Sequence, residues 1–332
     1  MRALYKQALL NLYPPNIVKT SNKRLVYVPY FFRKINMSAS DQTLKGFNQP
    51  RLVAKKIQAR QQSEGRGAVA RRTIGTRELK HLDPFLGLDD FEVSPPAGFP
   101  DHPHRGFETV TYMLQGACDH QDFAGHKGII RTGDVQWMTA GRGIVHSEMP
   151  AEEGTNRGLQ LWINLSSKDK MIEPGYQEFP KENIPRGEKD GVEVRVIAGE
   201  AMGIQSPVYS RTPTMYLDFT LQPDSQYHQT IPQSWNAFVY IIEGEGVFGI
   251  PNSNPVASHH LLVMGTIGEG LSVWNKSTKP LRYILVCGKP INEPIAQYGP
   301  FVMNTQAEIE KAIEDYHYCK NGFEMARHWR SQ

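Results

Sequence analysis

The chain is poor in cysteine. Three residues, Cys118, Cys287 and Cys319, are an odd number with no C-x-x-C spacing, which excludes a complete disulfide framework and points to a reducing compartment. Long apolar runs are missing too: no stretch of the sequence approaches the ~18 consecutive apolar residues a membrane helix needs, so no membrane partner is expected. Acidic residues are absent from the first 40 positions, which carry seven Lys or Arg. Helix signals are scarce until the C-terminus.

What is present is a core-forming composition. Of the 332 residues, 39% are hydrophobic and 10% aromatic, enough for two ordinary domains. The 29 glycines and 23 prolines suit many short strands joined by tight turns better than a helical bundle. The net charge of +3 hides a polarity: residues 41–81 add about +7, leaving the remainder near −11. A nucleic-acid surface needs basic side chains clustered on a folded face. Here the basic excess stays in the first quarter, so direct nucleic-acid binding is not expected.

Two readings fit residues 1–36. Their basic, acid-free composition matches a mitochondrial or plastid transit peptide; alternatively they extend the chain upstream of a natural start at Met37-Ser-Ala-Ser-Asp. In either case the fold argument begins after residue 45.

From Arg51 onwards, β-rich runs alternate with Gly, Pro, Asn and Asp clusters: Thr109–Leu114, Gly133–Met138, Leu159–Leu165, Val192–Ile197, Met215–Leu221, Ala237–Ile242, Leu271–Trp274 and Leu281–Val286. Lengths and punctuation are those of sandwich or barrel strands. Thr305-Gln-Ala-Glu308 is a capping box, and Ile309, Ile313 and Tyr316 continue it as one amphipathic helix over about 305–317, expected to pack back on a barrel. Thr111-Tyr-Met-Leu-Gln-Gly116 repeats as Val239-Tyr-Ile-Ile-Glu-Gly244 at an offset of 128, the mark of two related halves. Ser167–Gly191, rich in Lys, Glu, Pro and Gly, reads as their connector. The expected organisation is a basic extension over 1–45, a first barrel over 46–190 and a second over 191–332.

The chemistry concentrates between Asp101 and Pro150, where His102-Pro-His104 stands at one end and His146-Ser-Glu148 at the other. Side chains two apart on a strand share a face, so each pair projects two ligating groups together. Two such pairs on neighbouring strands would converge on one point. Three imidazoles and a carboxylate suit Fe, Mn, Ni, Cu or Zn rather than Ca or Mg, and an octahedral ion held by four protein ligands keeps two open positions. One transition-metal ion per chain is therefore expected. Glu108, four residues after His104, shares its strand parity and stays open as a rival carboxylate. On the same count Phe107 packs outward, while Trp137 and Met138 read as core.

At the repeat offset, His102, His104 and Glu108 fall on Thr230, Pro232 and Asn236, and His146 and Glu148 on Trp274 and Lys276. Ligand chemistry is missing there, and His228, His259 and His260 form no His-x-His pair, so the second half is read as metal-free. Gly-rich pieces such as Glu243-Gly-Glu-Gly246 lack the lysine and following helix of a phosphate loop.

The runs Asp-His-Pro-His-Arg-Gly-Phe-Glu-Thr-Val from Asp101 and Gly-Asp-Val-Gln-Trp-Met-Thr-Ala-Gly-Arg-Gly-Ile-Val-His-Ser-Glu-Met-Pro from Gly133 resemble the signature of pirins, and of their plant members in particular. The resemblance runs from about Arg51 to the C-terminus. It implies an all-β bicupin, two cupin-type β-barrels with a short C-terminal helix, and ferrous iron in the first barrel. The ligands it implies match His102, His104, His146 and Glu148, with Glu148 preferred over Glu108, which becomes a supporting group. It further implies flavonol (quercetin) dioxygenase activity in some members, with a flavonol and dioxygen as substrates and Glu148 as catalytic base. In others it implies a non-catalytic nuclear co-regulator whose iron acts as a redox switch. The implied partners are a transcription factor or a heterotrimeric G-protein alpha subunit, the location nucleus and cytoplasm, and the state a monomer.

Overall fold

In the computed structural model, residues 46–64 and 67–332 are described; both readings of the basic N-terminal segment lie outside them. The chain builds two barrels of the same plan, each a seven-stranded sheet facing a four-stranded one. In the first, Phe107–Gln115 pairs with Asn156–Asn164 and Val135–Thr139, and Asn156–Asn164 with Phe85–Val93. In the second, Asn236–Glu243, Leu281–Gly288 and Thr214–Leu221 take the corresponding places. All eight strands expected from sequence are present. Phe85–Val93 was missed because its Leu-Gly-Leu-Asp-Asp centre breaks the alternation.

These central strands are apolar on both faces, because each barrel buries one face inside and the other against its neighbour. Along Asn236–Glu243, Ala237, Val239 and Ile241 fill the second barrel, while Phe238, Tyr240 and Ile242 join a core shared by the two barrels. In the first barrel, Val110 and Tyr112 join that same core. The inward positions differ: Ala237 and Val239 correspond at the repeat offset to Thr109 and Thr111. On this strand the second barrel's inward face is apolar, whereas the first barrel carries two threonines at the matching positions.

A reciprocal pair of bonds stitches the barrels together. The Tyr112 hydroxyl donates to Asp218 at 2.7 Å, and the Tyr240 hydroxyl to Asp90 at 2.7 Å. Both tyrosines and both aspartates are related by the offset of 128, so the repeat is written into the interface as a pseudo-twofold. Each aspartate is also gripped by a forked arginine, Arg157 on Asp90 and Arg282 on Asp218. Burial opposes the charge of Asp90, but the bonds from Arg157, His259 and Tyr240 outweigh it and hold the carboxyl well below its usual range. Tyr112→Phe and Tyr240→Phe should each cost about 1.5–3 kcal/mol, the worth of a hydrogen bond to a charged group, with similar shifts in urea unfolding midpoint. A loss in only one of them would remove the functional equivalence of the two bonds.

The ends of the chain cross between barrels, which boundaries at 45 and 190 do not anticipate. Val53–Gln58 pairs with His260–Met264 at the edge of the second barrel's large sheet. At the other end, Phe301, Met303, Ile309 and Phe323 pack on Met138, Ile144 and Val145 of the first barrel. The helix spans Gln306–His317 with both halves of the capping box formed. Its inner face is Ile309, Ala312 and Asp315; Ile313, expected inside, is 37% exposed.

Candidate metal centre

The strand Phe99–His104 lies antiparallel to Ile144–Pro150, with His102 directly opposite His146 and His104 opposite Ile144. Two-residue periodicity puts all three imidazoles on one face. The nitrogens they offer lie within 4.8 Å of one another, and Nε2 of His102 is 3.0 Å from Nε2 of His146. Metal–nitrogen bonds of about 2.1 Å place adjacent nitrogens of an octahedral ion about 3.0 Å apart, so this separation fits two ligands of a single ion.

The protonation pattern agrees. Nδ1 of His102 donates to the Pro100 carbonyl at 2.8 Å, which leaves its Nε2 bare and aimed at the cluster, the usual way a protein fixes a ligating tautomer. His104 and His146 are buried; both nitrogens of His104 and Nδ1 of His146 have no hydrogen-bond partner. Burial first, and the neighbouring His102 second, hold both imidazoles well below the ordinary histidine range. They are neutral, as ligands must be, and unpaired buried nitrogens are costly without an occupant. The three histidines fit a borderline metal ion.

Glu148 stands beside the trio: its Oε2 is 3.9 Å from His146 Nε2. Thr111 donates to its Oε1 at 3.1 Å and Gln160 to its Oε2 at 3.0 Å, and Trp162 Nε1 donates in turn to Gln160. This carboxylate is aimed by its neighbours. Glu108 is elsewhere. It follows the parity of Val110 and Tyr112, toward the other barrel, and its Oε1 accepts from Thr139 at 2.7 Å. Burial pushes its carboxyl up, with Thr139 and Trp137 partly offsetting. Phe107, expected outside, is instead buried with its ring 5.2 Å from that of His104. Both expectations carried strand parity through Arg105-Gly106, where the chain leaves one sheet for the other and Gly106 has φ +88°. A Cβ there would lie about on the Val302 carbonyl. Trp137 and Met138 are core residues.

In the second barrel, Ala237 and Val239 replace Thr109 and Thr111 within an apolar cluster. His228 bonds Ser272 at 2.8 Å, and His259 lies beside Tyr240 and Asp90 at the barrel interface. Sequence reasoning did miss a second group in the first barrel: His120, His126 and Glu178 also bring ligand atoms within 4.8 Å of one another. Only the His120-x5-His126 spacing around the Asp122-Phe-Ala-Gly turn hints at it, since Glu178 arrives from a distant strand.

Two linked cupin-type barrels, one carrying a cluster of three histidines able to hold a metal ion, define a bicupin. Known proteins carry the assignment further. The family described as Pirin matches residues 67–163, and the Pirin C-terminal cupin domain matches residues 216–322. Over 286 residues the chain is 69% identical to a pirin-like protein of Solanum lycopersicum, covering 86% of this chain and 98% of that one. It is 52% identical to pirin of Homo sapiens over 282 residues, covering 84% and 97%. A crystal structure of quercetin 2,3-dioxygenase from Acinetobacter baumannii has a TM-score of 0.76 at 33% identity, covering 82% of this chain and 99% of that one. The chain belongs to the pirin family.

Proposed function

We propose that this pirin is an iron-dependent flavonol dioxygenase, cleaving a quercetin-like substrate with dioxygen and releasing carbon monoxide. The observation that carries the reading is the convergence of three imidazoles, those of His104 and His146 buried with unpartnered nitrogens, beside an aimed carboxylate, in a chain 33% identical over 82% of its length to a quercetin 2,3-dioxygenase. His102, His104, His146 and Glu148 would hold the ion. When bound, ferrous iron supplies Lewis acidity toward the flavonol 3-hydroxyl and a redox centre for dioxygen.

The remaining work falls to the chain. Glu148 accepts the 3-hydroxyl proton, and the bonds from Thr111 and Gln160 fix its oxygens for that transfer. The approach is from the His102 side, because His104 and His146 are buried while His102 is partly exposed. Phe107 and Trp162, their rings 4.6 Å apart and both next to His104, shield the centre from water behind it. A strengthened local field follows.

Protein loaded with iron should take up dioxygen and release carbon monoxide when given quercetin, with both gases measured. Glu148→Gln should lower turnover by at least ~100-fold, the lower range for a lost general base. Iron-replete protein that produces no carbon monoxide with any flavonol would overturn the reading.

A further inference from the structure

We propose that His120, His126 and Glu178 form a second, exchangeable site for a borderline divalent ion such as Zn2+, set where the wall of the first barrel meets solvent. Its three residues are distinct from the His102 trio, although His120 stands opposite Glu148 in the neighbouring strand, and the proposal is independent of the catalytic reading.

The first observation is a surplus of nitrogen around one oxygen. Glu178 Oε1 lies 2.8 Å from His120 Nε2, 3.2 Å from His126 Nε2 and 2.8 Å from Gln136 Nε2. The Gln136 amide can only donate, so it takes one of the two lone pairs. Two imidazoles then compete for the other. His120 loses: its ring is 1% exposed, yet its Nε2 has no hydrogen-bond partner despite the short approach. An ion held between the two imidazoles and Glu178 would turn this unsatisfied buried nitrogen into a ligand.

The second observation is a reserved space. Gly128 sits directly opposite His120 in the strand pair, and its φ lies outside the left-handed region that calls for glycine. A Cβ at that position would come 2.9 Å from His120 Nε2 and 3.9 Å from Glu178 Oε1. The missing side chain leaves a hollow against both ligand atoms.

The surroundings hold the three groups in place. Asp122 Oδ1 accepts from the backbone N–H groups of Ala124 and His126, which fixes the turn that returns His126 toward His120. The His126 ring stacks on Tyr176 at 4.1 Å. Glu178 lies on Gly175–Phe179, paired with Val135–Thr139. Two imidazoles and one carboxylate make the donor set of three-ligand zinc sites that keep a coordination position open. His126 and Glu178 are 36% and 39% exposed, which gives the ion a route in and out and makes the site weaker than the buried trio.

The test uses the full chain carrying one tightly bound ion, with Zn2+ added in a calorimetric titration and the first metal followed by elemental analysis. A second equivalent should bind to the wild-type protein. Gly128→Ala fills the hollow without touching a ligand, and His126→Ala removes one; each should weaken the second equivalent by at least ~10–100-fold while the first ion stays at one per chain. Retention of that first ion also shows that the variant barrel is folded. His259→Ala, at the barrel interface far along the chain from this group, should leave the second equivalent unchanged. No second equivalent in the wild-type protein, unchanged binding in both Gly128→Ala and His126→Ala, or loss in His259→Ala would each overturn the proposal.

Discussion

His146→Ala is expected to lose its resident transition metal, with affinity falling by more than ~100-fold, beyond the range seen when only supporting groups are removed. The reason lies in how the site is closed. His146 is the imidazole nearest to both other parties, 3.0 Å from His102 Nε2 and 3.9 Å from Glu148 Oε2, so its removal opens the centre of the ligand set rather than its edge. His228→Ala serves as the comparison, because His228 bonds Ser272 in the second barrel. Its metal content should match that of the wild-type protein. Glu108→Gln should likewise keep its metal within about twofold, since Glu108 faces the neighbouring barrel, whereas Glu148→Gln should weaken binding strongly. The measurement is metal per chain after dialysis against a weak chelator. Full metal in His146→Ala, or equal loss in His228→Ala, would show that other residues hold the ion.

The histidine trio was legible in sequence because its geometry is local. His-x-His and His-x-Glu each fix a shared face by strand periodicity alone, and a single antiparallel pairing then brings His102 opposite His146. The misplacements of Glu108 and Phe107 have one cause. Parity holds only within a strand, and Gly106 interrupts it between His104 and Phe107. The His120 group was hidden for a different reason: it joins a strand, the turn that follows it and a second strand some 50 residues on, which no spacing rule connects. The interface between barrels was half visible. The offset of 128 pairs Tyr112 with Tyr240, but that each tyrosine reaches the other barrel's aspartate becomes apparent only when the two barrels stand face to face. The crossing of the chain ends was not legible, because Val53–Gln58 and Phe301–Met303 look like ordinary strands with no address written on them.

The largest expected effect on stability is at Asp315. This residue occupies the inner face of the C-terminal helix at 1% side-chain exposure, and its Oδ2 accepts from Arg105 Nη1 at 2.9 Å, the guanidinium itself 2% exposed. Asp315 Oδ1 accepts from Asn321, while Arg105 also donates to the Arg142 and Asn321 carbonyls and lies over the Phe323 ring at 4.7 Å. Arg105 immediately follows His104, so this ion pair ties the helix to the strand that carries two histidines of the trio. Asp315→Ala leaves the guanidinium buried with dipoles but no counter-charge. Breaking a buried pair in this way costs about 3–5 kcal/mol, read as a fall in unfolding free energy in urea. Removing both charges while keeping the volume, as in Arg105→Met with Asp315→Leu, should cost less than Asp315→Ala alone, because the desolvation penalty of the pair disappears with the pair. The same double variant should retain the metal, since His104 is held by the strand and not by the charge. Should Asp315→Ala unfold within about 1 kcal/mol of the wild-type protein, the pair would behave as a surface bridge, and the attachment of the helix would rest on Ile309, Ala312 and Phe323 alone.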